Sequence, residues 1–257
     1  MTSNDGGLTP SDAGYDYLAG ADPYSDGVTA QPGYEIVHAV FREPPPWRTA
    51  FEAMPDILAS RQRSISALCA IELRSPEPST FDGFAEFNAS YLAVLDSLGL
   101  RVDGRNPIAR TNVAPHAQVP DQIVMHAFSF TTPSASSAHT FVTAGSGELV
   151  EGELNERAIV APDDLSPKGV RLKVGHVVAT MSSRLERLGA SWADVTATDV
   201  YTLADPAVVI EAVVAEIGAA ARYGLRWFPS RPPVTGLDFE MDVRGVRQEI
   251  MVDIADA

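Results

Sequence analysis

The sequence predicts an α/β (α+β) protein of two tandem units, each a sheet with helices packed on one face. Two observations predict this. Strand-like and helix-like segments alternate along the chain, and an order of helix, strand, helix, strand, strand occurs twice. A Ser/Thr/Pro-rich stretch, TTPSASSAHT at 131–140, reads as a break between near-equal halves.

Taken in order, residues 1–32 are rich in Gly, Asp, Ser and Pro and lack Lys and Arg, which reads as a flexible acidic arm. Tyr15, Tyr17 and Tyr24 are its docking candidates. The first unit is expected over 33–131, with 132–140 as linker and 141–257 as the second unit. In the first, YEIVHAVF (34–41) precedes a helix containing Pro55. A proline inside a helix costs about 3 kcal/mol, so that helix is expected to be short, kinked, or to start at Pro55. SISALCAIEL (64–73) is strand-like. Ser79 or Thr80 then caps a helix whose Phe84, Phe87, Tyr91, Leu95 and Leu98 form one apolar stripe, ended by Gly99. ARTNVA (109–114) and QIVMHAFSF (122–130) are strands. The second unit has a helix with Val174, Val177, Val178, Met181, Leu185 and Leu188 on one face, then the strand VTATDVYTL, a helix after Pro206, and the strand candidates VTGLDFEM and RQEIMVDI.

Composition excludes several function classes. With 45% apolar residues the chain can build a proper core, and its net charge of −15 argues against nucleic acid. No stretch is apolar and long enough to cross a bilayer, and the first residues lack the pattern of a secretory signal. A cytoplasmic location is expected. The single cysteine, Cys69, excludes an intramolecular disulfide and lies among apolar strand residues, as a packing residue does.

GFAEFNASYLAVL (83–95) followed by NPIARTNVA (106–114) resembles the RidA/YjgF superfamily, the reactive intermediate deaminases. In the second half, FVTAGSGELVEGEL resembles that family's opening hairpin, and LERLGASWADVTATDVYTLADPAVV its helix-strand-helix passage. The resemblance covers roughly 35–257. It implies two tandem chorismate-mutase-like α/β units, a homotrimer that is a pseudo-hexamer of half-units, and hydrolysis of enamines or imines derived from amino acids. It also implies an arginine that holds the substrate carboxylate and an acid that positions water. By motif position the arginine falls on Arg110, the helix asparagine on Asn88, the residue two past the arginine on Asn112 and the hairpin glycine on Gly145. His126 stands at the acid's position. In the second half Val234 and Met251 replace the arginine and the acid, which suggests a composite site.

The residue chemistry agrees in kind. Arg110 and Asn112, two apart on a strand, project from one face, and a guanidinium fork suits a carboxylate. His126, in phase with Phe128 and Phe130, reads equally as a core histidine or as an acid/base group. His116 and His126 find no third ligand at a convincing spacing, so neither metal nor cofactor is expected. The leading expectation is a hydrolase or deaminase of a small imino, enamine or unsaturated carboxylate, held by Arg110, with His126 moving the proton. Two alternatives are a non-catalytic keto-acid-binding protein and a lyase or hydrolase of a cyclic carboxylate, since chorismatases resemble the same unit.

Overall fold

The structure is a computed structural model that describes residues 7–20, 23–150 and 155–254. Three strands come first: β1 (Leu8–Pro10), β2 (Tyr15–Leu18) and β3 (Gly27–Ala30). The first half continues with β4 (Tyr34–Phe41), α1 (Trp47–Ala59), β5 (Leu68–Arg74), α2 (Phe81–Ser97), β6 (Ala109–Pro115) and β7 (Val124–Pro133). The second half begins with β8 (Phe141–Thr143), β9 (Ser146–Gly147), α3 (Pro167–Arg187) and β10 (Ala197–Thr202). It ends with α4 (Pro206–Ile217), β11 (Arg226–Phe228), β12 (Ser230–Arg231), β13 (Phe239–Gly245) and β14 (Gln248–Val252).

Local chemistry explains the helix limits. Thr80 caps α2 by accepting from the Gly83 N–H at 3.1 Å, and Gly99, at φ +66°, supplies the left-handed residue that stops it. Ser166 and Asp205 cap α3 and α4, each followed by a proline at the first helical position. Helix α1 does not start at Pro55. It starts at Trp47 and runs through Pro55. Its buried Trp47, Phe51, Met54, Ile57 and Leu58 explain why. Each such side chain contributes about 1.5–3 kcal/mol on burial, which together outweighs the proline's penalty.

The strands form two sheets. One runs β12-β6-β5-β7-β4-β14 and the other β1-β2-β3-β8-β13-β10-β11, with β9 added beside β13. Helices α1 and α2 cover the first sheet, burying Phe51, Met54, Tyr91 and Leu95 against Ile71, Leu73 and Phe128. Helices α3 and α4 cover the second, burying Val174, Val177, Met181 and Val213 against Val200, Met241 and Val243. The uncovered faces meet. At one end of that interface Tyr15, Tyr17, Val28, Ile36, Ala70, Ala109 and Val142 pack together; at the other end charged side chains meet.

The two halves exchange their end strands. β1–β3 lie in the second half's sheet, β3 pairing with β8, while β14 runs parallel to β4 in the first half's sheet. Residues 8–10, 15–18 and 27–30, expected within a flexible arm, are therefore sheet. The buried Tyr15, Tyr17, Leu18 and Val28 supply the apolar area that offsets the ordering of this polar stretch. The expected linker is also shorter, because Thr131–Pro133 extend β7 opposite Tyr34–Ile36. Among the described residues no helix is long and apolar enough to cross a membrane.

Candidate active site

Helical spacing puts Phe84, Phe87, Asn88 and Tyr91 on one side of α2, and β6 presents Arg110 to them. The Arg110 guanidinium is 3% exposed as a residue, and its carbon lies 4.8 Å from the Tyr91 ring centre and 4.9 Å from that of Tyr24. Phe84 and Phe87 follow at 5.5 and 5.4 Å. Nη2 donates to Asn88 Oδ1 at 2.7 Å, and Nη1 is buried with no hydrogen-bond partner among the described residues. Burial pulls the Arg110 pKa down from its usual value, against Tyr91, Tyr24 and Glu240, which hold it up. Even so, a guanidinium stays charged in a protein.

Arg110 opens into a cleft of about 580 Å³ between the halves. The first half contributes Phe84, Arg110 and Asn112, and the second contributes the turn Gly145–Gly147, Glu240 from β13, and Arg184 and Arg187 from α3. Tyr24 and Asp26 enter from the N-terminal strands. Asn112 is oriented by Ser75, whose Oγ donates to its Oδ1 at 2.9 Å, leaving the amide N–H₂ as its remaining donor. The Gly145 N–H donates to the Arg110 carbonyl at 3.2 Å, which ties the turn to β6. A Cβ on Gly145 would collide with Glu240 Oε1, so glycine is what lets that carboxyl group reach the cleft.

Glu240 is 4% exposed. Burial first, then Asp242 and Glu148, push its pKa well above the usual carboxylate range, with Arg110 only partly opposing them. The shift favours the protonated carboxylic acid, the form that has a proton to give. Sequence reasoning missed it. The available signal was the alternation in FEMDV, where Phe239, Met241 and Val243 enter the apolar core and Glu240 and Asp242 face the other way, both buried.

Arg110, Asn112 and Gly145 thus meet in one cleft, and Asn88 supports the arginine from behind. His126 does not join them. Glu72 pairs with Ala127 but Leu73 with Met125, so His126 is the extra residue of a β-bulge. The bulge breaks the alternation that put His126 in phase with Phe128 and Phe130, and turns it toward Glu72, Arg74 and Arg244. There its ring meets Phe228 edge-on at 6.4 Å, and burial lowers its pKa to about 4, with Arg74 adding to the effect. It lies outside the cleft lining. Val234 and Met251 also change meaning. β13 runs antiparallel to β10 as β7 does to β5, so β13 is the counterpart of β7. Met251 lies half-exposed on β14 in the other sheet, and Val234 is a wall of the cleft.

Three carboxylates, Glu72, Asp199 and Asp242, approach closely enough to hold a metal. Arg244 Nη1 already occupies that position, at 2.6 Å from Asp199, 3.6 Å from Glu72 and 3.7 Å from Asp242. The cluster is a guanidinium site.

Residues 8–250 match the family model "2-aminomuconate deaminase CnbZ". The chain belongs to the CnbZ family. It is 40% identical over 245 residues to a 2-amino-5-chloromuconate deaminase of Comamonas testosteroni, covering 94% of this chain and 97% of that protein. Among solved structures, a chorismatase matches with TM-score 0.51 at 12% identity, over 93% of this chain and 79% of that one, a likeness of fold alone. The YjgF gene product of E. coli matches 42% of this chain and 81% of its own, at TM-score 0.29 and 15% identity. For the CnbZ family cleft the practical meaning is that Arg110 and Glu240 sit in a chain whose curated relative removes an amino group.

Proposed function

We propose that the chain is a deaminase of 2-aminomuconate-type substrates, unsaturated dicarboxylates with an amino group on the carbon beside one carboxylate. The observation that carries this is the unpartnered Arg110 Nη1, buried in a cleft that Glu240 also lines. A buried guanidinium without an anion is costly, and a substrate carboxylate would relieve that cost. Asn112 adds a second donor to the same anion. Both side-chain groups are donors, so neither suits the substrate's amino group as an acceptor, and Glu240 is left to handle the proton chemistry.

The reaction is a hydrolysis. Glu240 gives its proton to a chain carbon conjugated with the amino group, converting the enamine to an iminium ion. The resulting carboxylate takes a proton from water as the water oxygen bonds to the iminium carbon. The carbinolamine then breaks its C–N bond, its hydroxyl proton leaves with the nitrogen, and ammonia and a 2-oxo acid result. One water is consumed for each ammonia released. The aromatic wall around Arg110 keeps bulk water from screening the carboxylate contact.

Ammonia release from 2-aminomuconate tests the reading. Glu240→Gln keeps shape but cannot cycle a proton, and should lower kcat by about 10²–10⁴-fold while leaving binding of muconate, which lacks the amino group, nearly unchanged. In the wild type, turnover should fall on the alkaline side as Glu240 loses its proton. Retention of full kcat in Glu240→Gln would remove the acid from the mechanism.

A further inference from the structure

The same cleft carries a second cationic group that the chemistry above does not use. Arg184 and Arg187 are three residues apart on α3 and so share a face. Both line the cleft and both reach Asp26, Arg184 Nη2 to Oδ1 at 3.4 Å and Arg187 Nη1 to Oδ2 at 3.2 Å. Arg184 also donates to the Ala144 carbonyl at 2.9 Å. The neighbouring Gly145 N–H bonds the Arg110 carbonyl, so this turn is tied both to β6 and to Arg184.

We infer that Arg187, with Arg184 beside it, binds the second carboxylate of a dicarboxylic substrate, so that the cleft selects dianions over monoanions. This rests on the aminomuconate reading of the same cleft. The two ends differ in construction. Arg184 is fixed, its side chain only 6% exposed, whereas the Arg187 side chain is 28% exposed and open to a ligand. Of the five N–H groups on a guanidinium, Arg187 gives one to Asp26 in the bonds described. On the wall of the same cleft, Phe84, Val234 and Leu237 form a buried apolar cluster. A cation, an apolar wall and a second cation complement a carboxylate, a hydrocarbon diene and a second carboxylate. Three arginines on the described lining, against Asp26 and Glu240, also stand apart in a chain of net charge −15.

Calorimetry with muconate and sorbate tests this, because the two share the six-carbon diene and differ in one carboxylate. The wild type should bind muconate about tenfold or more tightly than sorbate, a difference of about 1.4 kcal/mol or more. Arg187→Gln should abolish that preference while leaving sorbate binding unchanged, and Arg187→Lys should restore part of it. Equal binding of the two acids by the wild type, or an intact preference in Arg187→Gln, overturns the subsite. The outcomes separate the two claims. If Glu240→Gln loses turnover but Arg187→Gln alters neither preference nor KM, the subsite alone fails. If the wild type prefers muconate yet releases no ammonia from 2-aminomuconate, the deaminase reading fails and the subsite stands.

Discussion

Two arginines in this molecule are equally buried and keep opposite company. Arg244, 2% exposed, lies in the layer between the sheets with Asp199, Glu72, Asp242 and Glu249 around it, and these acids raise its pKa well above the usual value. Arg110, 3% exposed, is ringed by four aromatic rings, its guanidinium bonds only an amide among the described residues, and its pKa is lowered by burial. Burial is common to both, so burial does not separate structure from function. The partners do: Arg244 is hydrogen-bonded to carboxylates, whereas Arg110 is bonded to an amide, which is why the proposed ligand falls to Arg110 and not to Arg244.

The comparison breaks first at Arg244. Arg244→Met leaves several buried carboxylates without their cation, and urea unfolding should show a loss of about 3–5 kcal/mol. Arg110→Met should do the reverse in kind. Muconate binding should weaken by about 2–5 kcal/mol, read by calorimetry, with a smaller loss of stability than in Arg244→Met. Equal destabilisation by the two variants would erase the distinction.

The smallest effect sharpens the structural side. His126 and His38 both belong to the Arg244 layer, with pKa values lowered to about 4 and about 3, mainly by burial. Their folded-state values lie below the unfolded value of about 6.5, so the unfolded chain binds more protons. Stability is therefore unaffected above pH 6.5 and falls as the pH drops from there toward 4. Thermal melts of His126→Gln across that window should show a shallower decline than the wild type. A proton-transfer histidine would instead change kcat at neutral pH, and His126→Gln should leave kcat near that of the wild type.

Much of this was legible in the sequence because it depends on local spacing. The stripe of α2, its stop at Gly99 and the shared face of Arg110 and Asn112 follow from periods of 3.6 and 2. The RidA/YjgF resemblance led to the expectation of a deaminase family on a mixed α/β fold, and the CnbZ family match and the observed sheets agree with it. The misreadings share one cause, dependence on a partner strand distant in sequence. The bulge at His126 exists only in relation to β5, and the strands in 8–30 only in relation to β8. Glu240 was obscured in the same way. With β14 taken as the counterpart of β7, the search for an acid stopped at Met251, one strand too late.

The exchange of end strands also bears on how the chain acquires its structure. β14 closes against β4, and Arg247 reaches Glu35 across 212 positions of sequence, with Oε2 accepting at 3.0 Å. At about 5–20 residues added per second, the ribosome releases the first half long before its last strand exists. Until then β4 offers an open edge, a template for mispairing. Pairings this remote slow folding, because loop closure must precede any compensating contact. Neither half is therefore a separable module, and a chain cut between them would take β12 and β14 from the first sheet and β1–β3 from the second.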